Sequence, residues 1–86
     1  MKEIIVQLFG AFSELDGQGE IRVQVNGDRL VDLRDALREV LQQRFPAFNA
    51  GLVDYSVFAD EECVLRDAEP LPANGRVAIL PPVSGG

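Results

Sequence analysis

A chain of 86 residues, 47% apolar and 26% charged, has the length and composition of one globular domain and is too short for two. One cysteine and no histidine exclude an internal disulfide framework, a cysteine-based zinc site, a Ser-His-Asp triad and a Cys-His dyad. A net charge of −6 argues against nucleic acid as a partner, and no apolar run approaches the ~18 residues of a membrane span.

Glu3 to Phe9 reads as a β-strand, with Ile4, Val6 and Leu8 toward the core and Ile5, Gln7 and Phe9 on the opposite face. Gly10 to Gly19 reads as a loop. Glu20 to Asn26 alternates cleanly, Ile21, Val23 and Val25 inward against Arg22 and Gln24 outward, and Asn26-Gly27 ends it. Together these two runs make an N-terminal hairpin.

Asp32 to Arg44 is a predicted helix. Asp32 suits the N-cap, where a carboxylate accepts from first-turn amides, and Asp35 lies favourably in the helix dipole. Leu33, Ala36, Leu37, Val40, Leu41 and Phe45 form one apolar stripe, and Pro46 closes the helix. Val53 to Ala59 reads as a strand, setting Val53, Tyr55 and Val57 against Asp54, Ser56 and Phe58. Asp60-Glu61-Glu62 forms a turn, Cys63 to Arg66 a short strand, and Asp67 to Gly75 a loop with Pro70 and Pro72. Arg76 to Leu80 is the last strand, with Val77 and Ile79 inward.

The order β-β-α-β-β-β places one helix on one face of a mixed sheet. This is the α+β architecture called the β-grasp, or ubiquitin-like, fold. Residues 1–80 form the domain and 81–86 an extended tail. Pro81 and Pro82 lack the N–H needed to continue a sheet, so they stop pairing and stiffen the exit. After them come Val83, Ser84, Gly85 and Gly86. Six extended residues span about 20 Å, and two without a Cβ pass through a narrow channel. A terminal carboxylate, with a pKa near ~3.5, is ionised at neutral pH and is a poor electrophile. The chemistry such a tail serves is activation by a partner that adenylates it with ATP, after which sulfur or an amine displaces AMP. A lone Gly-Gly end is ordinarily a frayed terminus; this one follows a proline stop, a final strand and a β-grasp element order.

Four stretches carry a resemblance: Ile4-Ile5-Val6-Gln7-Leu8-Phe9-Gly10-Ala11, Leu33-Arg34-Asp35-Ala36-Leu37, Pro70-Leu71 with Asn74-Gly75-Arg76-Val77-Ala78, and above all Leu80-Pro81-Pro82-Val83-Ser84-Gly85-Gly86. Through them the chain resembles, from end to end, the MoaD/ThiS family of ubiquitin-like sulfur carriers. It is most similar to the MoaD branch, because ThiS-type members usually lack the double proline. Asp60-Glu61 stands where the family often has Asn-Gly, and Asn74-Gly75-Arg76 replaces a commoner acidic stretch.

The resemblance implies a cytoplasmic carrier with no cofactor of its own. A MoeB-like, E1-related enzyme would use ATP to adenylate Gly86, and a sulfur donor carrying a persulfide would convert it to a thiocarboxylate. The tail, Pro81 to Gly85, would enter a MoaE-like large subunit of molybdopterin synthase. There it would give sulfur to cyclic pyranopterin monophosphate in molybdenum cofactor biosynthesis. Gly86 would be the reacting position and Gly85 its steric companion, and the catalytic groups would belong to the partners. The same tail also fits a carrier for thiazole or cysteine synthesis, or a modifier joined to lysines through Gly86. A plain interaction domain with an inert end is the third reading.

Ile5, Phe9, Ala78 and Leu80 are the expected partner interface, an apolar cluster on the sheet face away from the helix, where the family places its partner contacts. Cys63 is expected to pack as a small hydrophobe, with no cation nearby to lower its pKa. The acidic run Asp60-Glu61-Glu62 reads as solvated surface that steers a basic partner. Adjacent carboxylates on a turn lack the convergence that acid–base work or calcium requires.

Overall fold

Alternating β-branched residues build the sheet, and a leucine stripe covers one side of it. The computed structural model describes residues 1–82; the expectations for Val83, Ser84, Gly85 and Gly86 lie outside the described residues. Among the described residues there are five strands: β1 (Lys2–Leu8), β2 (Glu20–Val25), β3 (Val57–Ala59), β4 (Val64–Leu65) and β5 (Arg76–Leu80). The helix α1 (Leu30–Arg44) lies between β2 and β3. The strand order is β2-β1-β5-β3-β4, with β1 and β5 parallel at the centre and the other pairs antiparallel. The parallel pair is possible because the long connection containing α1 returns the chain to the same end of the sheet.

The inner face collects Ile4, Val6 and Leu8 from β1, Ile21, Val23 and Val25 from β2, and Val77 and Ile79 from β5. Leu30, Leu33, Leu37 and Leu41 of α1 close over them, all fully buried, with Ala36, Val40 and Phe45 packed at the margin. This is the β-grasp architecture read from the element order.

Several local expectations are corrected. The helix begins at Leu30, two residues before the expected start, and Asp32 is its third residue rather than its N-cap. The amides of Leu30 and Val31 donate to the carbonyls of Glu69 and Asp67, at 2.9 and 3.1 Å. The loop before β5 therefore satisfies first-turn donors that a side-chain cap would otherwise take. Asp32 instead accepts from the Arg29 amide at 3.1 Å, reaching back over the turn it belongs to.

Val53 to Ala59 is not one strand. Residues Ala50–Tyr55 form a 3-10 turn, and only Val57–Ala59 pairs as β3. The guanidinium of Arg34 accounts for the break. Its Nη1 donates to the carbonyls of Val53 at 2.7 Å and Ser56 at 2.9 Å, while Nη2 pairs with Asp67 at 2.9 Å. Carbonyls collected by a helix side chain are withdrawn from strand pairing. After this turn Phe58 faces the core, under the Arg34 guanidinium at 5.0 Å, and Val57 faces out.

The loop from Gly10 to Gly19 contains a 3-10 turn, Gly10–Glu14, whose Phe12 is fully buried and lies 5.4 Å from the Phe48 ring. Strand β1 ends at Leu8, which leaves Phe9 just outside it; β2 ends at Val25, and β4 is limited to Val64–Leu65 rather than Cys63 to Arg66. Among the described residues no helix is long and apolar enough to cross a membrane.

Candidate functional site: the outer sheet face and the tail root

The sheet face opposite α1 divides into two halves. On β1 and β2 it is polar: Glu3 approaches Arg22 at 4.0 Å and accepts from Gln24 at 3.3 Å. On β5, β3 and β4 it is apolar. Val57 lies opposite Leu80, and Ala59 is opposite both Ala78 on β5 and Val64 on β4. Directly opposed residues hold their Cβ atoms about 5 Å apart, so these five side chains make one contiguous patch. Leu80, Val57 and Val64 are each more than a third exposed, which is unusual for a cluster of large aliphatic groups.

The expected interface residues separate on this map. Ala78 and Leu80 lie in the patch. Phe9 is extended and 45% exposed, one step beyond the Leu8–Ile79 pair and therefore level with Leu80. Ile5 is half-buried and falls in the other half, opposite Arg22 on one side and Arg76 on the other. Val57 and Val64 belong to the patch and were missing from the sequence expectation. An alternating run on β3 would have turned Val57 inward; the 3-10 turn before it reverses the phase.

The patch has an acidic border. Asp60 accepts the amides of Glu62 and Cys63, both at 2.8 Å, which fixes the turn and leaves Glu61 and Glu62 exposed. These amides, that of Cys63 foremost, hold the Asp60 carboxyl below its ordinary range. A shallow hollow of about 340 Å³ lies between this turn and Arg76, floored by Ala78. Cys63 is exposed rather than packed, a correction to its expected place. The charge of Asp60, with partial desolvation and the more distant Glu69, pushes its thiol pKa up. A thiol so placed holds little thiolate at neutral pH and is poorly suited to relay sulfur. Among the described residues no three His, Cys, Asp or Glu side chains gather as metal ligands do.

Beyond Leu80 the chain leaves the sheet through Pro81, whose ring rests on Gly10. A Cβ built on Gly10 would sit 2.5 Å from Pro81 Cγ and 3.1 Å from its Cδ. Gly10 also has φ +58°, a left-handed conformation that costs other residues about 1–2 kcal/mol. Glycine is thus required at this position twice, by its backbone and by its neighbour. Ser13 Oγ donates to the Gly10 carbonyl at 2.7 Å and secures the turn. The direction in which the chain departs from β5 is therefore set by a contact with the end of β1.

The sequence model of the ThiS family matches residues 6–86. The chain belongs to the ThiS family. Among solved structures, this ThiS-family chain is similar to SAMP1 from Haloferax volcanii, at 27% identity and a TM-score of 0.66, over 98% of this chain and 99% of that one. A second structure, of H. volcanii small archaeal modifier protein 1, aligns at 23% identity and a TM-score of 0.66 over 96% and 100% of the two chains. No curated protein matches the chain.

Proposed function

We propose that this ThiS-family protein is a sulfur carrier and acts as the small subunit of molybdopterin synthase. The observation that carries the reading is the tail root. The central strand β5 ends at a proline pair whose first ring, Pro81, is seated on Gly10, beside an exposed aliphatic patch. That arrangement suits a body that docks by one sheet half while its tail reaches into the partner.

In this reading the Gly86 carboxylate attacks ATP on a MoeB-like enzyme, and pyrophosphate leaves. The terminal sulfur of a persulfide donor then displaces AMP. A second thiol attacks the donor-side sulfur of the resulting acyl disulfide, which breaks the S–S bond, leaves the donor and that thiol joined as a disulfide, and releases the thiocarboxylate. The loaded tail enters a MoaE-like subunit and gives its sulfur to cyclic pyranopterin monophosphate. The double proline supports the molybdopterin pathway over thiazole synthesis, and the acidic border of the patch favours a basic docking surface.

Protein isolated from its native host tests this reading. A carrier shows a mass increase equal to the exchange of one oxygen for sulfur, and it co-purifies with a MoaE-like subunit; recovery with a ThiG-like protein instead would overturn the pathway. One alanine added after Gly86, protected from trimming, should abolish sulfur delivery, and undiminished delivery would overturn the carrier reading itself. The modifier reading is favoured by one observation, the name of the similar archaeal protein. Its signature is a branched peptide ending in Gly86 on a lysine.

A further inference from the structure

The two edge strands of the sheet, β2 and β4, leave their outer backbone groups in different states. At β4 the edge is closed. The strand is two residues long, and the Glu62 amide before it donates to Asp60 Oδ1 at 2.8 Å. After it the Arg66 amide donates to Glu69 Oε1 at 3.2 Å, and the Arg66 carbonyl accepts the Glu69 amide at 3.0 Å. At β2 the edge is open: among the described residues no strand lies beyond it. The Leu8 amide donates to the Gly19 carbonyl at 2.8 Å, and the alternation of an antiparallel ladder then turns Ile21, Val23 and Val25 toward β1. The N–H and C=O groups of Glu20, Arg22 and Gln24 point away from the sheet. The strand Glu-Ile-Arg-Val-Gln-Val carries neither the proline, the lysine nor the bulge that ordinarily guards such an edge.

This edge complements itself. Backbone bonds across it require outward-pointing residues to meet, so the registers with the most overlap are centred on Ile21, Arg22 or Val23. Centring on Arg22 sets two guanidiniums opposite each other, and centring on Val23 sets Arg22 against Gln24. Centring on Ile21 pairs Glu20 with Arg22 of the other copy, twice, and at each pair both amides find a carbonyl. The Arg22 side chain is 66% exposed and only approaches Glu3, at 4.0 Å, so it can reach across the edge. Beside it a hollow of about 260 Å³ has Asp16, Glu20, Arg22 and Arg44 in its lining, two charges of each sign. Copies with a net charge of −6 repel each other, and this balanced edge is a place where they can meet.

We propose that two copies of this chain associate by pairing their β2 edges antiparallel, with the two-fold axis at Ile21. The product is one continuous sheet with the helices of both copies on the same face. The pairing is independent of sulfur transfer, because β2 and the β3–β4 half lie at opposite edges of the sheet. Each copy keeps its aliphatic patch and its Pro81 exit uncovered. The two-fold axis sends the two exits in opposite directions, so one dimer can engage two separate partners.

Sedimentation of the full chain from roughly ten micromolar to one millimolar, the range of weak self-association, should show a dimer that grows with concentration. Arg22→Glu and Glu20→Arg should each weaken it at least about tenfold, since each sets like charges opposite one another twice. An equal mixture of the two variants should restore association, because unlike charges then meet at both positions. Amide exchange on the wild-type chain needs no variant and decides the matter should either one fail to fold. The amides of Glu20 and Arg22 should slow as concentration rises, and that of Val64 should not. Leu80→Asp, which charges the aliphatic half, should leave the dimer unchanged. A chain that stays monomeric, its edge then open to a strand of another protein, would overturn the proposal. So would a dimer indifferent to both charge variants, a mixture of folded variants that stays monomeric, slowing at Val64 in place of Glu20, or loss of the dimer with Leu80→Asp.

Discussion

The two halves of the outer sheet face are built on the same backbone geometry and treat water in opposite ways. On β1 and β2 the outward positions hold Glu3, Gln7, Glu20, Arg22 and Gln24 around a half-buried Ile5, and Glu3 reaches both Arg22 and Gln24 across the strands. On β5 beyond Arg76, and on β3 and β4, they hold Ala78, Leu80, Val57, Ala59 and Val64, whose side chains have no polar atoms to offer. Burial within the domain does not account for the difference, because both halves face away from α1. The polar half satisfies its own groups; the aliphatic half leaves Leu80, Val57 and Val64 to water.

The most damaging way to break this contrast is from inside. Arg34→Ala should lower stability by about 3 kcal/mol, because it removes the donor to the Ser56 carbonyl, leaves the Val53 carbonyl only the Ser56 amide, and releases the segment that presents Val57. Chemical denaturation measures the loss, and Arg34→Lys should recover only part of it, since one ammonium cannot span the same acceptors. A charge on the aliphatic half comes next. Leu80→Asp should weaken binding to the proposed partner, a MoaE-like subunit, by about 2 kcal/mol with the fold intact, in a calorimetric titration. Gly10→Ala should cost about 1–2 kcal/mol of stability and slow tail loading besides. Pro81→Ala in the same chain should restore part of the loading and none of the backbone strain.

Smaller effects sharpen the contrast. Arg22→Ala, on the polar half, should change both stability and binding by less than about 0.5 kcal/mol, since exposed pairs contribute little. Acid should act locally on the turn bordering the patch. Asp60 has a lowered pKa when folded, so its contribution is complete above its ordinary value of 3.8 and fades as the pH falls through the lower folded value. Amide exchange of Glu62 and Cys63 should accelerate there before the sheet responds. With Asp60→Asn that pH dependence should vanish.

What the sequence disclosed depended on the length of its patterns. Ile21, Val23 and Val25 alternate beside polar neighbours, and Leu33, Leu37 and Leu41 recur over three turns, so both elements and their buried faces were legible. The segment at 50–56 misled because it is short. Its buried residues are Ala50, Val53 and Ser56, spaced by three as a 3-10 turn requires, and a seven-residue window reads equally well as alternation. That one misreading concealed Val57 and, with it, the centre of the patch. Phe12 escaped notice because a single aromatic within a loop has no period. The early helix start depended on carbonyls nearly forty residues away, at Asp67 and Glu69, which no local pattern reveals. Of the candidate interface residues, Phe9, Ala78 and Leu80 lie near one another on the outer face, as strand phase indicates. Ile5 shares that face but sits apart from them, because phase gives the face of a sheet and not the neighbours across it.

The parallel pairing of β1 with β5 has a mechanical consequence. The tail continues a strand held along both of its edges, by β1 on one side and β3 on the other. Tension applied at Gly86 along that axis loads both ladders in shear, so their hydrogen bonds resist together rather than opening one after another. A pull on the end of β5 therefore meets a stiff direction of the domain, one that peeling from an edge strand would not share.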